Sequence, residues 1–188
     1  NTARVKGHPQ LKGQKIEVPG DISSAAYLLV AGSIIPDSEI ILKNVGLNPT
    51  RTGIIDVLLA MGADLSITNE HSSGGELMGD ITVRSAKLHG THIAGNLIPR
   101  LVDEIPVIAV AAACADGATE IRDAQELKVK ESNRLETVAQ GLRAFGCELD
   151  VLDDGLRIHG GKPLQAGAVC DSFGDHRIAM SMTVAALA

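Results

Sequence analysis

The sequence predicts an α/β fold in which repeated units place their helices inside and their sheets outside. Residues 25–35 and 105–115 are apolar on almost every side, so helices formed there must be buried all round. Residues 39–45 instead mix polar and apolar side chains, as in a strand that exposes one face to water. The same order of elements occurs twice along the chain. This indicates repeated supersecondary units packed around a shared core.

Each predicted element has its own sequence signal, and the order within a unit is helix, strand, helix, strand, strand. Asp21 supplies a polar start to a run of small and apolar residues, which is typical of a helix start. The helices are expected at residues 21–32, 50–61, 100–115 and 129–145. The strands are expected at residues 39–45, 64–68, 80–85, 118–124, 148–152 and 155–159.

The internal repeat is visible in the letters as well as in the order of elements. TRTGIIDVLLAMGADLSI (residues 50–67) matches SNRLETVAQGLRAFGCELDV (residues 132–151), and Gly62 and Gly146 occupy the same place. Glycine there suits the left-handed residue that ends many helices. A third copy begins at Phe173, where FGDHRIAMSM parallels GDISSAAY. We expect the chain to be a fragment whose third unit is truncated.

Composition excludes several classes of partner. The 188 residues are 45% hydrophobic and 21% charged, typical of globular proteins, and their formal net charge is −6. This charge disfavours nucleic acid and anionic membranes. One Tyr, two Phe and no Trp also leave no platform on which bases could stack. No apolar run is long enough to cross a bilayer. We therefore expect neither nucleic acid nor membrane as a partner.

The cysteines and histidines predict a cytoplasmic protein without a metal. Cys114, Cys147 and Cys170 are widely spaced and form no Cys-x-x-Cys pair, which favours reduced thiols over disulfides or a zinc site. His89 and His92 lie in a Gly-flanked segment, but their spacing gives little support for a metal site.

The most informative segment is KESNR, residues 130–134, at the start of the predicted helix 129–145. Residues three and four apart share a face of a helix, so Lys130 and Arg134 would project together, with Glu131 within reach of Arg134. Basic side chains oppose the dipole at a helix start, and a bound phosphate or carboxylate would explain their presence. The alternative interpretation is a solvated charged face.

Other charged residues also gather at the predicted helix starts, which would converge at one end of the core if the units pack in parallel. These residues are Asp21, Asp103, Glu104, Lys130, Glu131, Arg134, Asp175, His176 and Arg177. Helix starts and basic side chains would attract a negatively charged substrate, and the carboxylates would be free for proton transfer. Plainer interpretations stay open: Asp103 and Asp175 as helix-start carboxylates, and Arg177 as a member of an ion pair.

Several motifs resemble signatures of the 5-enolpyruvylshikimate-3-phosphate (EPSP) synthase family, in part those of its class II form. The motifs are RLVDEIP (100–106), ELKVKESNR (126–134), FGDHRIAM (173–180) and, for class II, VPGDISSAAY (18–27) and NPTRTG (48–53). The resemblance implies a two-domain enzyme in which each domain contains three βαβαββ units with helices inside, an inside-out α/β barrel. It also implies boundaries for this chain: residues 1–17 as a tail and hinge from the N-terminal domain, and residues 18–188 as the C-terminal domain.

The resemblance implies a reaction as well. The enolpyruvyl group of phosphoenolpyruvate would move to the 5-hydroxyl of shikimate 3-phosphate, through a tetrahedral intermediate and with release of phosphate. No metal and no organic cofactor is implied, and the N-terminal domain would be needed to complete the site. Two alternatives stay open: a relative of UDP-N-acetylglucosamine enolpyruvyl transferase, which shares the fold, and a non-catalytic anion-binding or assembly domain.

The same resemblance implies a role for each matching residue. Asp103 would act as the base for the attacking hydroxyl, and Lys130 would contact that hydroxyl and help to move its proton. Glu131 would serve proton transfer at the methylene carbon of phosphoenolpyruvate. Arg134 and Arg177 would clamp its carboxylate, a planar group that suits guanidinium forks.

Three further residues near these motifs are expected not to touch substrate. His176 and Asp175 would support the residues that do. Glu126 stands where some family members have Asn, and a carboxylate cannot donate a hydrogen bond to a hydroxyl unless it is protonated. We therefore leave Glu126 outside the predicted site.

Overall fold

The structure is a computed structural model that describes residues 2–13 and 15–188. Of the predicted tail, residues 1–17, Asn1 and Gln14 therefore lie outside the described residues. The α-helices are α1 (Ile22–Ile34), α2 (Gly53–Ala60), α3 (Ile105–Cys114), α4 (Arg134–Ala144) and α5 (His176–Leu187). The strands are β1 (Glu39–Gly46), β2 (Asp64–Ser73), β3 (Glu76–Arg84), β4 (His92–Ile93), β5 (Ala118–Ile121), β6 (Glu148–Leu152) and β7 (Gly155–His159).

The two sheets confirm the internal repeat. The first has the order β1-β3-β2, and the second has the order β4-β5-β7-β6, so β1, β3 and β2 correspond to β5, β7 and β6. Hydrogen-bonded neighbours within each of these two sets of strands are antiparallel. Ile67 of β2 lies opposite Ile81 of β3, and Leu149 of β6 lies opposite Ile158 of β7. β4 is parallel to β5, and Gly20 forms a parallel bridge to Val45 at the equivalent place in the first unit.

The helices lie inside, as the sequence predicts. α1, α3 and α5 pack against one another, while α1 also contacts the first sheet and α3 the second. Nine of the ten residues of α3 are buried, and small side chains in α1 and α3 allow the close approach of their backbones. The strands show the opposite pattern, because side chains of β1 and β6 alternate between exposed and more buried positions.

Three predicted helix starts are wrong. The helix expected from residue 50 begins at Gly53. The helix expected from residue 100 begins at Ile105, because Pro106 has no N–H and its ring would clash with the carbonyl four residues earlier. Two short 3₁₀ helices, Gly95–Arg100 and Val102–Glu104, occupy the preceding residues. The helix expected from residue 129 begins only at Arg134.

The start of α4 at Arg134 changes the interpretation of KESNR, residues 130–134. Lys130 and Glu131 lie in an irregular connection between a 3₁₀ helix, Gln125–Val129, and α4. The backbone of Lys130 is extended, at φ −81° and ψ −158°. The hydroxyl of Ser132 donates to a carboxylate oxygen of Asp175 over 2.9 Å, which ties this connection to the start of α5. The two basic side chains are therefore neighbours through tertiary contacts, not through helical spacing.

The remaining differences are the short strand β4, which was not predicted, and the ends of predicted elements. β2 ends at Ser73 instead of residue 68, and β3 begins at Glu76 instead of residue 80. The two strands join through Gly74 and Gly75, both with positive φ as a tight hairpin turn requires. β5 stops at Ile121, shortly before Asp123 at φ 58°. The predicted helix-ending glycines are confirmed, with φ 89° at Gly62 and 78° at Gly146.

Asp80 holds two irregularities of the first sheet in place. Its carboxylate accepts hydrogen bonds from the Asn44 N–H over 3.0 Å, and from Lys43 Nζ and Asn69 Nδ2 over 2.8 Å each. Asn44 and Asn69 have φ of 51° and 54° and lie where the strand registers shift. The hydrogen bonds from Lys43, Asn69 and Asn44 hold the pKa of Asp80 well below its usual range.

Among residues 2–13 and 15–188, no helix has both the length and the apolar character needed to cross a bilayer.

We predict that Asp80→Asn lowers the free energy of unfolding at pH 7, because a neutral amide replaces the carboxylate that accepts hydrogen bonds at both bulges. The stabilisation from a lowered carboxyl pKa is present above about pH 4 and is lost as pH falls through the folded-state pKa. The difference from wild type, measured by urea unfolding, should therefore be constant above about pH 4 and shrink as the pH falls below that value. Asp64→Asn, at an exposed strand start, is the control. A pH-independent difference would contradict this account.

Candidate functional site

Arg134 lies at the centre of the charged cluster. It is the first residue of α4, and its side chain is only 1% exposed. Its Nε donates to Asp175 Oδ2 over 2.8 Å and its Nη1 to Asp103 Oδ1 over 3.1 Å, while Nη2 donates to Glu131. A buried guanidinium needs such partners, because an unpaired charge is costly to remove from water. Three carboxylates from three segments of the chain thus meet on one cation.

Asp175 links this cation to the start of α5. Its side chain is fully buried, and as the N-cap residue it accepts the backbone N–H of Arg177 over 2.9 Å. Burial alone would raise the pKa of Asp175, but the hydrogen bonds from Arg134, Arg177 and Ser132 outweigh it and lower that pKa. Asp175 is therefore both a helix-start carboxylate and half of a buried ion pair.

Lys130 lies between two carboxylates. Its Nζ is 2.7 Å from Glu126 Oε1 and 3.7 Å from Asp103 Oδ1, and its side chain is 23% exposed. Glu126 was expected to lie outside the site, yet it contacts Lys130, which was expected to lie inside it. The contact depends on the 3₁₀ helix before Lys130, which no motif indicated.

Arg177 reaches the same place from α5. Its Nη2 is 3.7 Å from Asp103 Oδ2, and its Nη1 donates to the Asp103 backbone carbonyl over 3.4 Å. Its side chain is partly exposed, so it retains donors for a ligand. The ion-pair interpretation of Arg177 therefore applies to Asp103, while Asp175 receives only its backbone N–H.

The structure thus brings together Asp103, Lys130, Glu131, Arg134, Asp175 and Arg177, which we call the mouth. Its members differ in accessibility: Glu131 is 51% exposed, whereas Arg134 is covered by its partners. His176 is exposed at the first turn of α5. At the start of α1, Asp21 accepts the N–H groups of Ser23 and Ser24 as an N-cap.

Two buried polar groups lie beside the mouth. Glu104 and Tyr27 are 2% and 6% exposed, and within the described residues Glu104 Oε1 and the Tyr27 hydroxyl have no hydrogen-bond partner. Burial raises the pKa of both groups; Arg177 partly offsets this at Tyr27, and Ser23 and Arg177 partly offset it at Glu104. Glu104 was among the charged residues at the predicted helix starts, whereas Tyr27 was not singled out, since a lone polar side chain in an apolar helix is a weak sequence signal.

In the described part of the chain, no group of three or more His, Cys, Asp and Glu side chains is arranged to hold a metal ion. The carboxylates of the mouth are instead occupied by Lys and Arg.

An inner cluster of helices under two repeated outer sheets, with cations and carboxylates at the helix starts, defines the class of enolpyruvyl transferase folds. The enolpyruvyl transferase NikO from Streptomyces tendae shares this fold, with a TM-score of 0.68 over 90% of this chain at 21% identity. The chain belongs to the EPSP synthase (3-phosphoshikimate 1-carboxyvinyltransferase) family, whose model matches residues 1–188.

Two relatives show how much of that family the chain represents. A 3-phosphoshikimate 1-carboxyvinyltransferase from Desulforamulus reducens is 60% identical over 187 residues, which are 100% of this chain and 43% of the relative. The structure of an EPSP synthase from Acinetobacter baumannii has a TM-score of 0.92 and 42% identity, covering 98% of this chain and 44% of that one. The chain thus spans less than half the length of the relatives that it matches.

We predict that Arg134→Met lowers the free energy of unfolding by about 3–5 kcal/mol, because it leaves Asp175 buried without its cation. Arg143→Met, near the other end of α4, is the matched control. Arg143 is exposed and donates only to the Leu149 carbonyl, over 3.1 Å, so its loss should cost less than about 1 kcal/mol. Urea unfolding measures both. Equal losses would show that the buried pair has no special importance.

Proposed function

We propose that this chain supplies about half of the active site of an EPSP synthase. The reaction transfers the enolpyruvyl group of phosphoenolpyruvate to the 5-hydroxyl of shikimate 3-phosphate and releases phosphate. The observation that carries the proposal is the mouth itself, where Asp103 lies within 4 Å of Lys130, Arg134 and Arg177. Membership of the family supports the same reaction.

The first step is recognition of the phosphoenolpyruvate carboxylate. Arg177 has free donors at the surface of the mouth, while Arg134 donates an Nη2 hydrogen bond to Glu131. Because Glu131 is half exposed, it can leave without uncovering an apolar surface. The substrate carboxylate would then replace the Glu131 carboxylate on Arg134, and Arg177 would bind its other oxygen. Charge on the guanidinium stays balanced throughout, which keeps the cost of this exchange low.

The second step moves two protons. Asp103 would accept the proton of the 5-hydroxyl as its oxygen attacks C2 of phosphoenolpyruvate, and the ammonium of Lys130 would stabilise the developing negative charge. Glu131, which would take up a proton from solvent when it leaves Arg134, would donate that proton to the methylene carbon. In the elimination step the C2–O bond to the phosphate group breaks, Glu131 would take back a proton from the new methyl group, and the proton held by Asp103 would pass to the departing phosphate. Asp175 and His176 would support Arg134 and Arg177 without touching substrate.

The third part of the proposal concerns the rest of the protein. Residues 18–188 would form the C-terminal domain with an incomplete third unit, and residues 1–17 would lead from the N-terminal domain. That domain would bind shikimate 3-phosphate with the chain described above. We also propose a cytoplasmic location, which the three free cysteines support. No metal or cofactor is required by the proposed steps.

We predict that Glu131→Gln in the full-length enzyme lowers kcat by about 10²- to 10⁴-fold, because the amide cannot transfer the proton. Phosphoenolpyruvate binding should change little, since the substrate displaces this side chain from Arg134. Glu136→Gln, exposed in the first turn of α4, is the control and should leave kcat unchanged. Steady-state kinetics and calorimetry separate the two effects. Equal losses in binding and rate would favour the anion-binding module instead.

We also predict that the 188-residue chain alone does not turn over. Two Arg contacts contribute about 3–6 kcal/mol, against about 4–15 kcal/mol of freedom lost on association. Activity should appear when the chain is mixed with the N-terminal domain, as followed by phosphate release. Turnover by the chain alone would overthrow the half-site proposal. Full-length activity with UDP-N-acetylglucosamine in place of shikimate 3-phosphate would reassign the substrate.

A further inference from the structure

The 3₁₀ helix before Lys130 presents a carboxylate to the mouth. Glu126 lies in this helix, Gln125–Val129, and its Oε1 is 2.7 Å from Lys130 Nζ. The two residues are four apart, yet they are not on one α-helix, since the backbone at Lys130 is extended. The short contact therefore depends on the local turn, which directs Lys130 back over Glu126.

The ammonium of Lys130 has charged neighbours from each element around it. Glu126 comes from the 3₁₀ helix, Asp103 from the segment before α3, and Arg134 from the start of α4. Glu126 is the nearer of the two carboxylates: its Oε1 is 2.7 Å from Lys130 Nζ, whereas Asp103 Oδ1 is 3.7 Å away. The hydrogen bond that Lys130 donates to Glu126 raises the pKa of Lys130, with Asp103 adding to the effect and burial and Arg134 opposing it.

We propose that Glu126 is a positioning residue that fixes the Lys130 ammonium at the mouth, next to Asp103. The proposal rests on the proposed function for its catalytic consequence. The contact between Glu126 and Lys130 is independent of that function.

The chemistry explains why this assignment matters. A neutral lysine amine next to a substrate hydroxyl can take its proton, whereas an ammonium can only donate hydrogen bonds. Lysine also has a flexible stem and a pKa that shifts readily in a partly buried place. A carboxylate in direct contact resolves both problems, because it favours the charged form and restricts the stem. Asp103 alone cannot do this, since it also pairs with Arg134 and Arg177.

The chain offers a matched control for the charge change. Glu148 and Lys162 form a second Glu–Lys pair over 2.6 Å on the surface of the second sheet, where neither residue contacts the mouth. Glu126 is 62% exposed and Glu148 is 68% exposed, so a Gln at either position leaves the core intact.

The first test measures the reactivity of single lysines in the full-length enzyme. Acetic anhydride modifies only the free amine, so the rate of modification against pH gives the midpoint at which each lysine loses its proton. Glu126→Gln should move the Lys130 midpoint to lower pH and increase its rate at pH 9 by up to about five-fold, the range of a partly exposed ion pair. The Lys162 rate should not change. Glu148→Gln should leave the Lys130 midpoint and rate as in wild type. Mass spectrometry of the peptides separates the sites.

The second test measures kcat against pH. In Glu126→Gln the alkaline limb should begin at lower pH than in wild type, while Glu148→Gln should keep the wild-type profile. An unchanged Lys130 midpoint would overturn the proposal, and so would a shifted midpoint with an unchanged alkaline limb. If wild type does not catalyse EPSP formation at all, the proposed function fails, but the modification test still decides whether Glu126 controls Lys130.

Discussion

Arg134 carries a full positive charge into the buried junction of α4, α5 and the segment before α3, and that charge requires the carboxylates around it. Asp175 is the innermost of them, and its other bonds cap α5 and fix Ser132. One ion pair therefore aligns the second helix of one repeat, α4, with the first helix of the next, α5. It also shapes the irregular connection that presents Lys130 and Glu131. Loss of the cation would disturb the fold and the mouth together.

The repeat explains why the charges can meet at all. α1, α3 and α5 occupy equivalent places in successive units, and their packing brings their first residues to one end of the core. Apolar, small-residue helices make this packing close, while the sheets cover them from outside. The unpaired N–H groups at helix starts favour anions there. Such an end suits an anionic ligand, because the fold supplies the helix starts and the side chains supply the cations.

Much of the fold was predictable, because the apolar period and the glycine positions are local signals. The start of α1 at its N-cap Asp21 was predictable too, but the starts of α2, α3 and α4 were not, except that Pro106 already argued against a helix from residue 100. The start of α4 depends on Asp175, more than 40 residues away in sequence, so no local pattern reveals it. The motifs indicated five of the six members of the mouth as substrate-contacting residues and Asp175 as support. The contact of Glu126 with Lys130 was not predicted. It depends on a 3₁₀ helix that ends before Lys130, whereas the sequence predicted an α-helix from residue 129.

We propose above that Glu131 occupies, on Arg134, the place of a substrate carboxylate. A crystal structure of the full-length enzyme with phosphoenolpyruvate and shikimate 3-phosphate bound would test this most directly, in a variant slow enough to retain them. We expect the phosphoenolpyruvate carboxylate within about 2.7–3.2 Å of guanidinium nitrogens of Arg134 and Arg177, with Glu131 turned toward the methylene carbon. Phosphoenolpyruvate bound elsewhere, with Glu131 still on Arg134, would contradict the account.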